Sequence, residues 1–211
     1  MAGTVIVGGG QAGASAAARL RAKGDMGPIT LIAEEAVPPY QRPPLSKAYL
    51  MGEMEQERLY LRPADFYREN GIDLRLSTTA QSIDRADKTV IAGGDSFAYD
   101  NLILTLGSVP RRLPGAIGGE LKGVFTVRGL RDVDRMKPLV RDGGRVLVIG
   151  GGYIGLEAAA VAAKLGLNVT LVEMADRILQ RVAAPQTSDY FRDLHRAHGV
   201  DIREGVGLDT L

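Results

Sequence analysis

The run Thr4-Val5-Ile6-Val7-Gly8-Gly9-Gly10-Gln11-Ala12-Gly13 decides the fold. Four β-branched residues make a short strand that is buried on both faces, and glycines at 8, 10 and 13 follow at the spacing of a strand–turn–helix corner. The helix predicted from Gln11 to Lys23 carries Ala12, Gly13, Ala14, Ala16, Ala17 and Ala18 on its early turns, so it can lie close to a sheet or a ligand; Gly24 stops it. About 140 residues later Val146-Leu147-Val148-Ile149 enters a second corner, Gly150-Gly151-Gly152-Tyr153-Ile154-Gly155. A lone GxGxxG is a weak signal, but each of these follows a strand and opens a helix. Each therefore has the form of a dinucleotide-binding fingerprint.

The spacing beyond each turn strengthens this. Gly8 and Gly150 make the tight turn, Gly10 and Gly152 let a pyrophosphate approach the backbone, and Gly13 and Gly155 let helix and strand touch. The helix N-terminus adds free N–H groups and a positive dipole. Strand Ile29–Ile32 leads to Glu34, 21 residues after Gly13, and strand Asn168–Val172 leads to Glu173, 18 residues after Gly155. A carboxylate there accepts from a ribose 2′-hydroxyl and repels a 2′-phosphate, which favours NADH at the second turn, although Arg177 close by weakens that preference. The fold predicted is α/β, with two Rossmann-like dinucleotide-binding domains at 1–113 and 114–211, separated by Pro110, Pro114 and the glycine-rich stretch 115–123. Three parallel strands follow residue 145, so the chain is expected to stop in mid-fold with both domains incomplete.

Between these corners the pattern predicts a helix over Ala64–Asn70 and strands at Ile72–Leu76, Thr78–Ile83, Thr89–Ala92, Ser96–Tyr99 and Leu102–Thr105. Further helices are predicted over Arg131–Arg141, Ile154–Leu165 and Pro185–His198, with a strand at Val200–Ile202. Pro38, Pro39, Pro43 and Pro44 rule out a regular helix or central strand there and stiffen the loop, with a short helix expected from Ser46 to Leu50. Arg42 and Lys47 become fixed positive charges beside the first nucleotide half.

Composition excludes other chemistry. The 211 residues hold 26 Lys and Arg against 25 Asp and Glu, a net charge of +1, and the balance holds in each half, so neither nucleic acid nor an anionic membrane is an expected partner. With no cysteine, disulfide scaffolds, thiolate metal sites and redox thiols are out. His195 and His198 are read as surface or interface residues, and no metal is expected. A strand beginning at Thr4 leaves no room for a signal peptide and no apolar run is long enough to span a bilayer, so a soluble cytoplasmic protein is expected.

Gly8–Gly13, Pro39–Lys47, Arg111-Arg112-Leu113-Pro114 and Gly150–Glu157 together resemble the FAD-dependent, NADH-linked ferredoxin reductases of oxygenase and cytochrome P450 electron-transfer chains, which have the glutathione reductase-type fold. The resemblance spans the whole chain. It implies FAD and NADH as cofactors, a [2Fe-2S] ferredoxin as partner, and hydride transfer from NADH to the flavin followed by single-electron transfer. It places Ala12 and Gly13 on the FAD phosphates, Glu34 on the adenosine ribose, Arg42 on the pyrophosphate, Ala80 at the adenine, and Gly107 and Arg128 at the flavin side. Lys47 and Glu157 would be the catalytic pair of positions, Lys47 against the isoalloxazine and Glu157 orienting the nicotinamide. Tyr153 would gate the nicotinamide pocket beside Ile154.

Two departures stand out. Thr105-Leu106-Gly107 replaces the usual Ala-Thr-Gly, so Leu106 cannot supply the threonine hydroxyl. Members of the family are also longer, returning to the FAD domain through a Gly-Asp motif that is absent here, so the isolated 211 residues are expected to be colourless or weakly yellow. Related disulfide reductases and NADH oxidases carry a redox cysteine at or near Lys47, and this chain has none, so electrons would leave the flavin directly. The alternatives are an NADH oxidase or quinone reductase, a redox interaction protein of the apoptosis-inducing-factor type, which shares Arg42-Pro43-Pro44-Leu45-Ser46-Lys47, or an inert fragment.

Overall fold

The computed structural model describes residues 2–211. The chain forms two compact units, one running to Gln41 and resuming over Glu55–Val109, the other holding Arg42–Met54 and Pro110–Leu211.

The first unit is built on a six-stranded mixed sheet. Its strands are β1 (Gly3–Val7), β2 (Ile29–Ile32), β3 (Ile72–Arg75), β4 (Ala80–Asp84), β5 (Thr89–Ala92) and β6 (Asp95–Leu104), in the order β3-β2-β1-β6-β5-β4. β3, β2, β1 and β6 run parallel, while β6, β5 and β4 are antiparallel. Period-2 alternation explains why the apolar run of β1 is buried on both faces. Val5 and Val7 pack with Ile32, Val90, Ala92 and Tyr99, while Ile6 packs with Ala17, Ile29, Leu31, Tyr67 and Ile72. Helix α1 (Gln11–Ala22) covers the second face, and Ala17 is fully buried there. α2 (Ala64–Glu69) supplies Tyr67 to the same cluster.

One guanidinium ties the far end of this unit together. Arg21 donates from Nε to Asn70 O (2.6 Å), from Nη1 to Asp25 O (2.7 Å) and Gly27 O (2.8 Å), and from Nη2 to Gly71 O (2.6 Å). Four carbonyls of two loops converge on one cation, each bond stronger than a neutral one. Arg21→Met, which keeps the stem and removes the donors, is expected to cost about 2 kcal/mol of stability, read from urea midpoints by circular dichroism. A change below a few tenths of that would show that water satisfies these carbonyls equally well.

The second unit contains a three-stranded parallel sheet, β7 (Arg145–Ile149), β8 (Asn168–Glu173) and β9 (Val200–Glu204), in that order. α3 (Leu130–Met136) precedes it, α4 (Tyr153–Lys164) joins β7 to β8, and α5 (Pro185–Ala197) lies between β8 and β9. Leu156, Ala159, Val169, Leu171, Ile178, Leu179, Val200 and Ile202 form its core. β7 is an edge strand, and its Leu147 and Ile149 stay 41% and 42% exposed.

Four expectations change. Ser96–Tyr99 and Leu102–Thr105 are one ten-residue strand, β6, whose first part pairs with β5 and whose second part pairs with β1. The polar Asp100 and Asn101 look like a break in sequence, but both side chains are exposed and the pairing with β1 resumes across them with a register shift, from Gly3 opposite Tyr99 to Thr4 opposite Asn101. The helix expected from Ser46 is a 3-10 turn at Pro43–Ser46, with prolines in the first positions, where no N–H is needed. The helix expected to reach Arg141 ends at Met136, and Pro138 redirects the chain into a 3-10 turn at Lys137–Leu139. His195 is buried rather than superficial, its Nδ1 lying 2.8 Å from Phe191 O and its Nε2 3.1 Å from Leu156 O.

Candidate functional site

The two glycine corners are built alike. Gly8 (φ 118°) and Gly150 (φ 103°) occupy the left-handed region, which a side chain would strain. A methyl at Gly13 would run into Gly8 O, and one at Gly155 into Gly150 O, so helix and turn touch at these points. Gly10 and Gly152, the N-caps of α1 and α4, have nothing within 4 Å of where a Cβ would stand. Neither helix start has a side-chain cap or an acidic residue in its first turn. Each corner thus pairs a cradle open to solvent with unneutralised helix N–H groups, an arrangement that fits the pyrophosphate of a dinucleotide.

The first corner has a buttress that the sequence pattern missed. The Thr105 hydroxyl lies 2.9 Å from Gly8 O and 3.1 Å from Val7 O, and Gly8 N–H donates to Ile32 O at 2.9 Å. This hydroxyl holds the turn from within the unit; the next residue, Leu106, is exposed. Of the residues assigned to this corner, Gly13 is buried and Ala12 exposed on α1; Glu34 is exposed just past β2. Its neighbour Glu35 accepts from Tyr40 Oη at 2.5 Å. Ala80 opens β4 opposite Ala92, and Gly107 follows β6 with φ 69°.

At the second corner the Glu173 carboxylate is held firmly. Glu173 Oε2 accepts from Gly151 N–H at 2.6 Å and Oε1 from Ala175 N–H at 2.8 Å. Tyr153 and Ile154 are 58% and 62% exposed at the start of α4. Large apolar residues at an open helix start suit a flat ring held against them.

Lys47 and Glu157 meet. The Lys47 ammonium lies 2.7 Å from Glu157 Oε2, with Ser46 Oγ at 3.4 Å from the same oxygen. Sequence named both residues but not their pairing, because they lie on the proline segment and on α4, far apart in the chain. The segment is fixed to its own unit at several points. Arg42 Nη1 donates to Arg128 O (2.8 Å), Tyr49 Oη donates to Asp134 (2.6 Å), and the Lys137 ammonium stands 3.9 Å from the Tyr49 ring centre. Arg128 is further positioned by its own N–H, which donates to Asp132 at 3.0 Å. Both members of the Lys47–Glu157 pair stay partly exposed, so the pair adds little stability; it supplies an oriented charge. Arg42, Lys47, Arg128, Glu157 and the second corner share one unit, while Gly8–Gly13, Glu34, Ala80 and Gly107 share the other.

Among the described residues, no group of three or more His, Asp or Glu could hold a metal, and no helix is long and apolar enough to cross a membrane.

The sequence profile of the pyridine nucleotide-disulphide oxidoreductases matches residues 3–210. The chain is 48% identical over 208 residues to the 5,5′-dehydrodivanillate O-demethylase ferredoxin reductase subunit of Sphingobium sp., covering 98% of this chain and 50% of that one. It is 44% identical to putidaredoxin reductase of Pseudomonas putida, covering 96% and 49%. Two crystal structures superpose with a TM-score of 0.93. The reductase of the covalent putidaredoxin reductase–putidaredoxin complex has 44% identity and 97% and 50% coverage. The ferredoxin reductase for the CYP199A2 system of Rhodopseudomonas palustris has 38% identity and 98% and 51% coverage. The chain spans about half the length of the relatives it matches. With two open glycine corners, each between parallel strands, and a profile match across nearly all its residues, the chain belongs to the pyridine nucleotide-disulphide oxidoreductase family.

Proposed function

We propose that this chain carries the nucleotide-binding parts of an NADH-dependent ferredoxin reductase, with FAD on the corner at Gly8–Gly13, NADH on the corner at Gly150–Gly155, and a [2Fe-2S] ferredoxin of an oxygenase or cytochrome P450 chain as electron acceptor. Residues 1–113 form the FAD-binding domain, residues 114–211 the NADH-binding domain, and the protein works in the cytoplasm. The observation that carries this reading is the Lys47–Glu157 ion pair at 2.7 Å in a chain without cysteine. The relatives' names, which include ferredoxin reductases and a reductase–putidaredoxin complex, support it.

Bound FAD supplies the ability to take a hydride from NADH and release electrons singly. The protein's part is placement and charge. Ala12 and Gly13 present backbone N–H groups to the FAD phosphates, Glu34 accepts from its ribose, Ala80 offers its backbone to the adenine, and Gly107, Arg42 and Arg128 complete the contacts. Lys47 brings a positive charge to the site of reduction, and Glu157 holds that ammonium in one place. Tyr153, Ile154 and Glu173 position the pyridine nucleotide. No thiol of this chain is available to carry a disulfide step.

The test is anaerobic addition of NADH to the FAD-loaded protein, followed by stopped-flow reoxidation with ferredoxin, a quinone or oxygen. Bleaching of the flavin band and fastest reoxidation by ferredoxin are expected; faster reoxidation by oxygen or quinone would favour an oxidase or quinone reductase. Lys47→Met is expected to slow flavin reduction about tenfold with the melting temperature unchanged, the range of one lost electrostatic contact in a catalytic site. Unaltered kinetics and potential would remove Lys47 from this role.

A further inference from the structure

Arg177 lies four residues beyond Glu173 and is the cation nearest to it in sequence. The segment that carries it is packed onto the second glycine corner. A methyl at Gly151 would stand 2.6 Å from Ile178 Cγ2, and Leu179 N–H donates to Gly151 O at 2.9 Å. Ile178 N–H donates to Glu204 Oε1 at 2.8 Å, and Gly205 N–H donates to Ala175 O at 2.9 Å. A guanidinium released on this segment would attract a phosphate at the ribose 2′ position and offset Glu173.

The guanidinium is not released. Arg177 Nη1 donates to Ser188 Oγ at 2.6 Å and Nη2 to Gln180 O at 3.3 Å. Ser188 is fully buried on α5, and its hydroxyl donates to Ile178 O at 2.6 Å, which leaves the oxygen lone pairs aimed at Arg177. None of the ion pairs among the described residues joins Arg177 to Glu173. Glu173, with both oxygens on backbone N–H groups, stands as the uncompensated charge of the corner.

We propose that Ser188 is a specificity-determining positioning residue: by holding Arg177 on the α5 side, it leaves Glu173 alone at the second corner and so makes the site select a pyridine nucleotide with a free 2′-hydroxyl over one with a 2′-phosphate. This rests on the reading of that corner as the pyridine-nucleotide site. Ser188 touches no ligand itself; it acts through Arg177.

The experiment titrates the ¹⁵N-labelled chain with NADH and with NADPH and follows the Gly151, Gly152 and Gly155 amide signals, which report this corner separately from the first. Wild type is expected to bind NADH more tightly. Ser188→Ala is expected to tighten NADPH binding about tenfold, the worth of one charge-assisted hydrogen bond, with NADH within twofold of wild type. Adding Arg177→Gln to Ser188→Ala is expected to return NADPH to its wild-type affinity, a reversal that a general loosening of the fold would not produce. Arg177→Gln alone is expected to change neither affinity. An unchanged NADPH-to-NADH ratio in Ser188→Ala overturns the proposal, as does a gain that survives loss of Arg177, or a loss of NADPH binding in Arg177→Gln alone. If neither nucleotide moves these signals in wild type, the pyridine-nucleotide reading fails and the proposal falls with it; if NADH binds and the ratio stays fixed, only the proposal falls.

Discussion

Gly13→Ala and Gly155→Ala are expected to be among the most damaging single substitutions in the chain, each costing about 3 kcal/mol, the upper range for overpacking. In an exposed helix the same change would stabilise by about 1 kcal/mol. Here the added methyl meets the carbonyl oxygen of Gly8 or Gly150. Neither carbonyl can retreat easily. Gly8 N–H is bonded to Ile32 O at 2.9 Å and its oxygen faces the Thr105 hydroxyl; Gly150 N–H is bonded to Val172 O at 2.8 Å. Gly10→Ala and Gly152→Ala provide the contrast. Their φ values of −89° and −80° suit any residue, and a methyl there would project into open space. These variants are expected to keep wild-type melting curves while dinucleotide affinity falls at least tenfold, because the methyl takes the room of a phosphate. Circular dichroism melts beside nucleotide titrations separate the two pairs. Equal stability loss at all four positions would show that the corners are set by packing alone.

The second large effect concerns acid. Arg192, on α5 and with most of its side chain buried, donates to Glu204 through Nε (2.6 Å) and Nη2 (2.9 Å) and to Asp189 through Nη1 (2.7 Å). Burial by itself raises the Glu204 carboxyl. The Arg192 hydrogen bonds, the Ile178 N–H and the nearby charges of Arg192 and Arg196 outweigh it, so the net direction is down from the ordinary carboxylate value. The Arg192 guanidinium is pushed up in turn, first by its bond to Glu204 and then by its bond to Asp189. A carboxyl with a depressed folded value stabilises the fold above the ordinary value, near pH 4.3, and loses that contribution as pH falls through the folded one. Glu204→Gln is therefore expected to cost about 2 kcal/mol at pH 7, a cost that shrinks progressively as pH falls below about 4.3 toward the depressed folded value. Urea midpoints at pH 7, 5 and 3 measure this. A cost that does not shrink with acid would mean that side-chain shape, not charge, is what Glu204 contributes.

The legible parts of the fold are those written in short windows. The β1 run Thr4–Val7 reads as a strand because neighbouring side chains must point to opposite faces, and both faces prove to be buried. The glycine spacing reads as a corner because only glycine tolerates the turn and the close approach. The elements misplaced by sequence were overridden by partner strands in one case and by a local proline in another. β6 is continuous because β5 pairs with Asp95–Ala98 and β1 takes over at Tyr99 and Asn101–Leu104, partners that the local window does not contain. The helix after Leu130 stops at Met136 because Pro138 lacks the N–H a further turn would need.

The candidate site divides in the same way. Both corners, the carboxylates Glu34 and Glu173, the rigid proline segment and the absence of cysteine are fixed by residue type and spacing, since backbone geometry and charge need no distant partner to act. Three things came only with the tertiary structure: the pairing of Lys47 with Glu157, the Thr105 hydroxyl turned onto Gly8 O, and the Arg177 guanidinium turned toward Ser188. From spacing alone neither the acceptor of Arg177 nor that of the Thr105 hydroxyl can be read. Where a long or polar side chain points depends on which acceptor a separate element brings within about 3 Å, and no window of sequence contains that element.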